Sequence, residues 1–438
     1  MSRAAAITGL CAALAAPFPL RAQEASGASP TERELARAEA IRDTLTRPRG
    51  TQPVDAFDIA SLPIELATLP LRVLVDGAAW LVERVTLPRP PSFPARALRA
   101  VRAWGASPRV GSIGERSGVA LRLDLVRWEP LFLETGISIR GSQRHRVGIR
   151  WGDEVERLSG EPGFEASYLF QRDAEPRFWG IGSDTRERNE SVFLHDWQAA
   201  GIRGGHGRGP LRLAGAFGYE DHRVDRGFGS KPDLQDVFDP LPFGAVGRSS
   251  FLRGDASLGF DFTHRSGFQV RGAGVRLHGS LFRGVDGTPS DFHVLAAEGI
   301  AYLPLNPRQL LAVRAFSRIA RLDDGVGIPF YHLSAAGGEN SLRAYATDRF
   351  RDRDAAGLTV EWRYEVWRDL HRRSRVELFL FFEEAGVARE LGDLSGSDLR
   401  SGYGLGFRFV TRETTFAHVS LGFGGEGARL RVGEAWTF

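Results

Sequence analysis

The segment Gly337-Gly338-Glu339-Asn340-Ser341-Leu342-Arg343-Ala344-Tyr345 places an arginine inside a glycine-rich hairpin, in the middle of a long loop. That is an odd residue for a solvated loop tip. In a low-dielectric cavity a guanidinium needs a carboxylate, and two are within prospect. Glu361 lies on the next strand, and Glu384 lies in Phe382-Glu383-Glu384-Ala385-Gly386, further along the chain. A bidentate arginine–carboxylate pair would pin a loop that is otherwise entropically free. The same arginine at the surface, with a solvated partner, would contribute little.

Other chemistry finds no support in the residue pattern. There is no Gly-x-Ser-x-Gly elbow and no Ser/His/acid set, so no enzyme is expected. The histidines are scattered with no pair at ligand spacing, so neither a metal nor a cofactor is expected. Cys11 is the only cysteine, which excludes a disulfide framework and a cysteine metal site. The glycine run Gly204–Gly209 leads into a strand, not the helix that a phosphate cradle needs. His418 and Ser420 lie two apart on one strand face and read as lumen-facing polar residues. Phe178-Trp179-Gly180-Ile181-Gly182-Ser183-Asp184 reads as a tight structural loop. The pI is near 9.3, but the formal charge is only +3, acids and bases alternate, and Lys231 is the only lysine. No nucleic-acid partner is expected.

The elements that would carry these residues differ between the two ends of the chain. Ser2 and Arg3 precede a small apolar run, Ala4 to Leu20, and then Leu20-Arg21-Ala22, so residues 1–22 read as an export signal. Residues 23–96 read as a short helical periplasmic segment and linker. Thr31 to Thr46 forms one helical pattern, Leu71–Val85 a second, and Pro88 to Pro94 a break. From Val119 onward the period becomes two. Val119, Leu121, Leu123 and Leu125 alternate with Ala120, Arg122, Asp124 and Val126. Tyr403, Leu405, Phe407 and Phe409 alternate with glycines and Arg408. No stretch reaches the roughly 20 apolar residues of a spanning helix. One face apolar, the other charged or glycine, over about ten residues each time, is the pattern of tilted membrane strands. Large aromatics sit at strand ends: Trp362, Tyr403, Trp436 and Phe438. Fifteen strands are legible between 118 and 438. Closure calls for an even number, so one more is expected before Val119. Long loops, Asp173 to Glu190, Asp221 to Arg248, Gly325 to Ala356 and Glu390 to Arg400, alternate with short turns. The expectation is all-β: a 16-stranded antiparallel transmembrane barrel over 97–438, with a long loop at 322–356 folding inward.

The loop, the Phe382–Gly386 strand and the C-terminal aromatic together resemble the outer-membrane assembly and translocation superfamily. That superfamily is typified by BamA, TamA and the two-partner secretion transporters (the bacterial surface antigen family). Its members carry a Gly-Gly-x-x-x-(Val/Leu)-Arg-Gly-(Phe/Tyr) segment and a later Phe-x-Asp-x-Gly strand. Gly337, Gly338, Leu342, Arg343 and Tyr345 match the first. Phe382, Glu384 and Gly386 match the second, with Glu for Asp. The resemblance implies that Arg343 meets Glu384 in the lumen. It also implies that Trp436 and Phe438 form an insertion signal read by the barrel assembly machinery, and that the first and last strands meet at a weak seam. Outer-membrane lipid and a client polypeptide or lipid are the implied partners. Two departures stand out. Ala344 replaces the family's glycine, and residues 23–117 show no pattern of the family's client-binding periplasmic modules. A passive pore or structural barrel without a client is the alternative reading.

Overall fold

The computed structural model describes residues 105–111, 113, 120–128, 130–152, 162–227, 231–266, 269–369, 374–411 and 414–433. The expected export signal, the helical segment over 23–96, and Trp436 and Phe438 lie outside these residues. Within them the chain is almost entirely β. Sixteen strands make up the barrel wall: β1 Ala106–Gly111, β2 Ala120–Trp128, β3 Leu131–Ser138, β4 Gln143–Gly152, β5 Gly163–Asp173, β6 Ser191–Arg208, β7 Leu211–Arg226, β8 Gly247–Asp261, β9 Gln269–Val285, β10 Ser290–Asn306, β11 Gln309–Gly325, β12 Asp354–Asp369, β13 Ser374–Ala388, β14 Leu399–Thr411, β15 Thr414–Gly424 and β16 Gly427–Gly433. Each pairs antiparallel with its neighbour in the chain, from β1–β2 through to β15–β16. The strand expected before Val119 is β1. Among the described residues no helix is long and apolar enough to cross a membrane.

The period of two explains which side chain goes where. Leu281, Tyr403 and Leu430 are 66%, 61% and 66% exposed on the outer, lipid-facing side. Glu361, Arg363, Glu377 and Arg408 are buried on the inner side. An apolar exterior around a polar interior is what a barrel in lipid requires, because every backbone N–H and C=O must be paired within the wall.

The strands of the middle of the chain run past the membrane. β6 and β7 have 18 and 16 residues and β9 to β11 have 17 each, beyond the ten or so that a tilted span needs. Their extra length stands on the side of the long loops. It encloses an aromatic core of Phe193, Phe251, Phe282 and Phe292 with Phe178 and Phe330 from loops. The stretch between β11 and β12 is 326–353, narrower than the expected 322–356 because both flanking strands extend into it. Within it, Ser334–Ala336 pairs with Phe350–Asp352 as a two-stranded ribbon.

Candidate functional site

Loop 326–353 turns inward. Its tip begins at Gly337 and Gly338, whose φ angles are 123° and 91°. A Cβ on Gly338 would lie 2.5 Å from the Thr347 hydroxyl oxygen, so both backbone angle and space demand glycine. The turn closes on itself. Gly338 N–H donates to Leu342 O and Leu342 N–H donates to Gly338 O, each at 3.1 Å. Ser341 Oγ accepts from Gly337 N–H at 2.8 Å. Leu342 is fully buried among Ala336, Tyr345, Phe350 and Val387.

This geometry presents Arg343 to the inner face of β12 and β13. Nε donates to Glu383 Oε1 at 2.7 Å, and Nη1 donates to Glu361 Oε2 at 2.9 Å. The Arg343 backbone N–H donates to Glu383 Oε2 at 2.6 Å, so one carboxylate receives both the side chain and the main chain. The guanidinium carbon lies 3.7 Å from the centre of the Phe381 ring. Arg343, Glu361 and Glu383 are all nearly inaccessible. Glu361 is also held by Arg363 Nε at 2.6 Å, so charge is balanced through a chain of ion pairs.

One expected partner is corrected. The carboxylate that reaches Arg343 is Glu383, while Glu384 faces the other way and lies within 3.4 Å of the Ser401 hydroxyl. Phe382 likewise points outward, 44% exposed and in register with Tyr403. The inner row of β13 is Phe379, Phe381, Glu383 and Ala385. Gly386 is buried, and a Cβ there would lie 2.7 Å from the Asp398 carbonyl. A shift of one residue moves every side chain to the opposite face, and Phe-Phe-Glu-Glu satisfies either choice. The parity is set by the register, which pairs Phe381 with Glu361 across the strands.

The tip rests on a track of glycines in β14 and β15. A Cβ on Gly422 would lie 3.0 Å from Ala344 N, and one on Gly424 would lie 2.8 Å from the Tyr345 ring. Sequence reasoning did not single out this seat. Ala344 is not in the left-handed region, which among non-glycine described residues holds only Asp286 and Asp348. Its methyl group instead occupies space vacated by Gly402 and Gly424. Tyr345 Oη accepts from Gly425 N–H at 2.9 Å and donates to Ser401 O at 3.3 Å. Arg431 of β16 donates through Nε to Arg343 O at 2.9 Å, and also donates to Tyr345 O.

Further contacts tie the loop to the outer rim. Arg349, 2% exposed, pairs with Glu426 at 2.7 Å and donates to Thr185 Oγ1 at 2.7 Å. Gly182 N–H donates to Arg351 O at 2.7 Å, so the Phe178–Asp184 segment latches onto the loop from above. His418 and Ser420 are buried on the inner wall, with His418 Nε2 2.5 Å from Glu339 of the tip.

The histidines are not all scattered in space, which corrects a second expectation. The fold gathers His195 of β6, His222 of β7 and His332 of the loop beside Glu220 and the Tyr331 ring. Burial drives the His332 imidazole down to about 4, with Glu220 pulling the other way. Burial likewise pushes the Tyr331 phenol above its ordinary value.

No protein-family model matches the chain, and no curated protein matches it by sequence. Its fold is similar to solved barrels. BamA from Haemophilus ducreyi lacking POTRA domains 1–3 superposes with a TM-score of 0.53 at 12% identity, covering 78% of this chain and 76% of that one. CdiB from Escherichia coli superposes with a TM-score of 0.50 at 13% identity, covering 75% of this chain and 61% of that one. The architecture is that of an outer-membrane β-barrel of the BamA and CdiB kind.

Proposed function

We propose that this chain works in the bacterial outer membrane as a barrel of the assembly and translocation type, held closed at rest by loop 326–353. The observation that carries the reading is the burial of Arg343 between Glu361 and Glu383, with the tip seated on the glycines of β14 and β15. A loop fixed across the lumen by buried charges obstructs free conduction, which favours a barrel closed at rest over a wide open pore. Such an anchor costs desolvation, and its geometry fixes where the tip lies. A client polypeptide or lipid would pass at the seam where the ends of the wall meet, and the pinned loop would keep the lumen sealed as it does so. The barrel assembly machinery would insert the protein itself.

The test is a folding assay. Purified wild-type protein is placed in liposomes, a urea-unfolded outer-membrane barrel polypeptide is added, and its folding is followed by heat-modifiable electrophoresis. Folding should be faster than in empty liposomes and in liposomes carrying an unrelated porin. Equal rates in all three would reject the assembly reading. Large, steady single-channel conductance from the wild type would move the assignment to a passive pore.

A further inference from the structure

Where the first half of loop 326–353 docks, three buried polar atoms converge on one another. Glu220 and His222 sit two apart on β7 and therefore on the same inner face. His332 descends onto them from the loop. His222 Nε2 and His332 Nε2 each lie 3.2 Å from Glu220 Oε1. The three ligand atoms all fall within 4.8 Å of one another. None of the three makes a hydrogen bond among the described residues, although Glu220 and His222 are only 3% and 5% exposed. Unsatisfied buried polar atoms are uncommon, and three pointing at one another call for an occupant.

We propose that Glu220, His222 and His332 bind a divalent transition-metal ion of the zinc class, and that the ion staples the loop to β7. Metal–ligand bonds of about 2.0–2.1 Å in a tetrahedron put neighbouring donors about 3.4 Å apart; the two histidine–carboxylate pairs lie at 3.2 Å and all three donors within 4.8 Å. Two imidazoles and one carboxylate are borderline donors suited to zinc, cobalt, nickel or copper rather than to calcium or magnesium, which take oxygen. Three protein ligands leave a fourth position for water.

The surroundings fit the same reading. His195 Nε2 lies 3.1 Å from His222 Nδ1, and a hydrogen bond there leaves the His222 Nε2 lone pair free to ligate. Arg253 Nη1 donates to Glu220 Oε2 at 3.2 Å, which orients the carboxylate and leaves Oε1 to the ion. Phe282 packs on the His332 ring at 4.7 Å and Phe292 at 5.2 Å, so water has little access. The site is independent of the assembly reading above, because a staple between a loop and a strand serves a pore equally well.

The experiment uses full-length protein purified without a histidine tag, stripped with chelator and dialysed against zinc. One tightly bound equivalent is expected in the wild type, and none in Glu220→Gln or His332→Gln. The variant His195→Ala touches only a positioning residue and should weaken zinc binding on the order of 10–100-fold while the stoichiometry stays at one. Should the ligand variants fail to fold, cobalt added to the stripped wild type decides the matter. A visible absorption band of tetrahedral cobalt that zinc abolishes supports the site. No bound equivalent and no cobalt band in folded wild-type protein would overturn it, as would undiminished zinc binding in folded Glu220→Gln and His332→Gln.

Discussion

The two halves of loop 326–353 meet the barrel on different terms. The first half, around Phe330 and His332, enters a dry aromatic core built by the overlong strands β6 to β11. Its backbone is hydrogen-bonded there, with Phe330 N–H donating to Phe243 O at 3.0 Å, but its side chains are mostly held by ring packing. The tip, around Arg343, enters a charged wall in which side chain and backbone alike are engaged. Apolar packing supplies adhesion but little directional information. Buried ion pairs demand one geometry, because displacement leaves a charge uncompensated. The contrast suggests that the aromatic half keeps the loop in the barrel, while the charged half decides where its tip lies.

The strongest way to break that contrast is Arg343→Ala. It strands Glu361 and Glu383 without their cation and should cost about 3–5 kcal/mol locally. Pore conductance should rise while the barrel still inserts and the aromatic half stays docked. Unchanged conductance together with unchanged heat stability would mean that Arg343 does not position the tip. A smaller effect is expected from Gly424→Val, whose Cβ would meet the Tyr345 ring at 2.8 Å and the Ala344 methyl at 2.9 Å. Overpacking of this kind costs about 1–3 kcal/mol and should give flickering openings in single-channel records. The smallest belongs to Glu384→Gln, which faces away from the knot. It should stay within about 0.5 kcal/mol of wild type in heat-modifiability, whereas Glu383→Gln should open the pore. Equal effects of the two substitutions would contradict the register of β13.

Much of the barrel was legible in the sequence, because an apolar exterior and a polar interior force alternation on every strand. The strand expected before Val119 followed from the need for an even number. What alternation could not decide was parity in Phe381-Phe382-Glu383-Glu384, where both faces read as aromatic then acidic. Nor could it reveal donors that meet only through the loop, since four strands of the wall lie in the chain between His332 and the pair Glu220 and His222. In the sequence the glycines of β14 read only as the small face of an alternating strand. They prove to be a fitted seat, which is a property of what lies against them rather than of their own strands.

Arg431 bonds to the carbonyl of a residue 88 positions earlier. Contacts between such distant parts of a chain form late, because much of the intervening chain must first be ordered. The tip of the loop therefore cannot acquire its full set of bonds until β16 has joined the wall. The carboxylates of Glu361 and Glu383, by contrast, sit on β12 and β13 and need no part of β16 to meet Arg343. Completing the seat of the tip and completing the wall are thus coupled through Arg431.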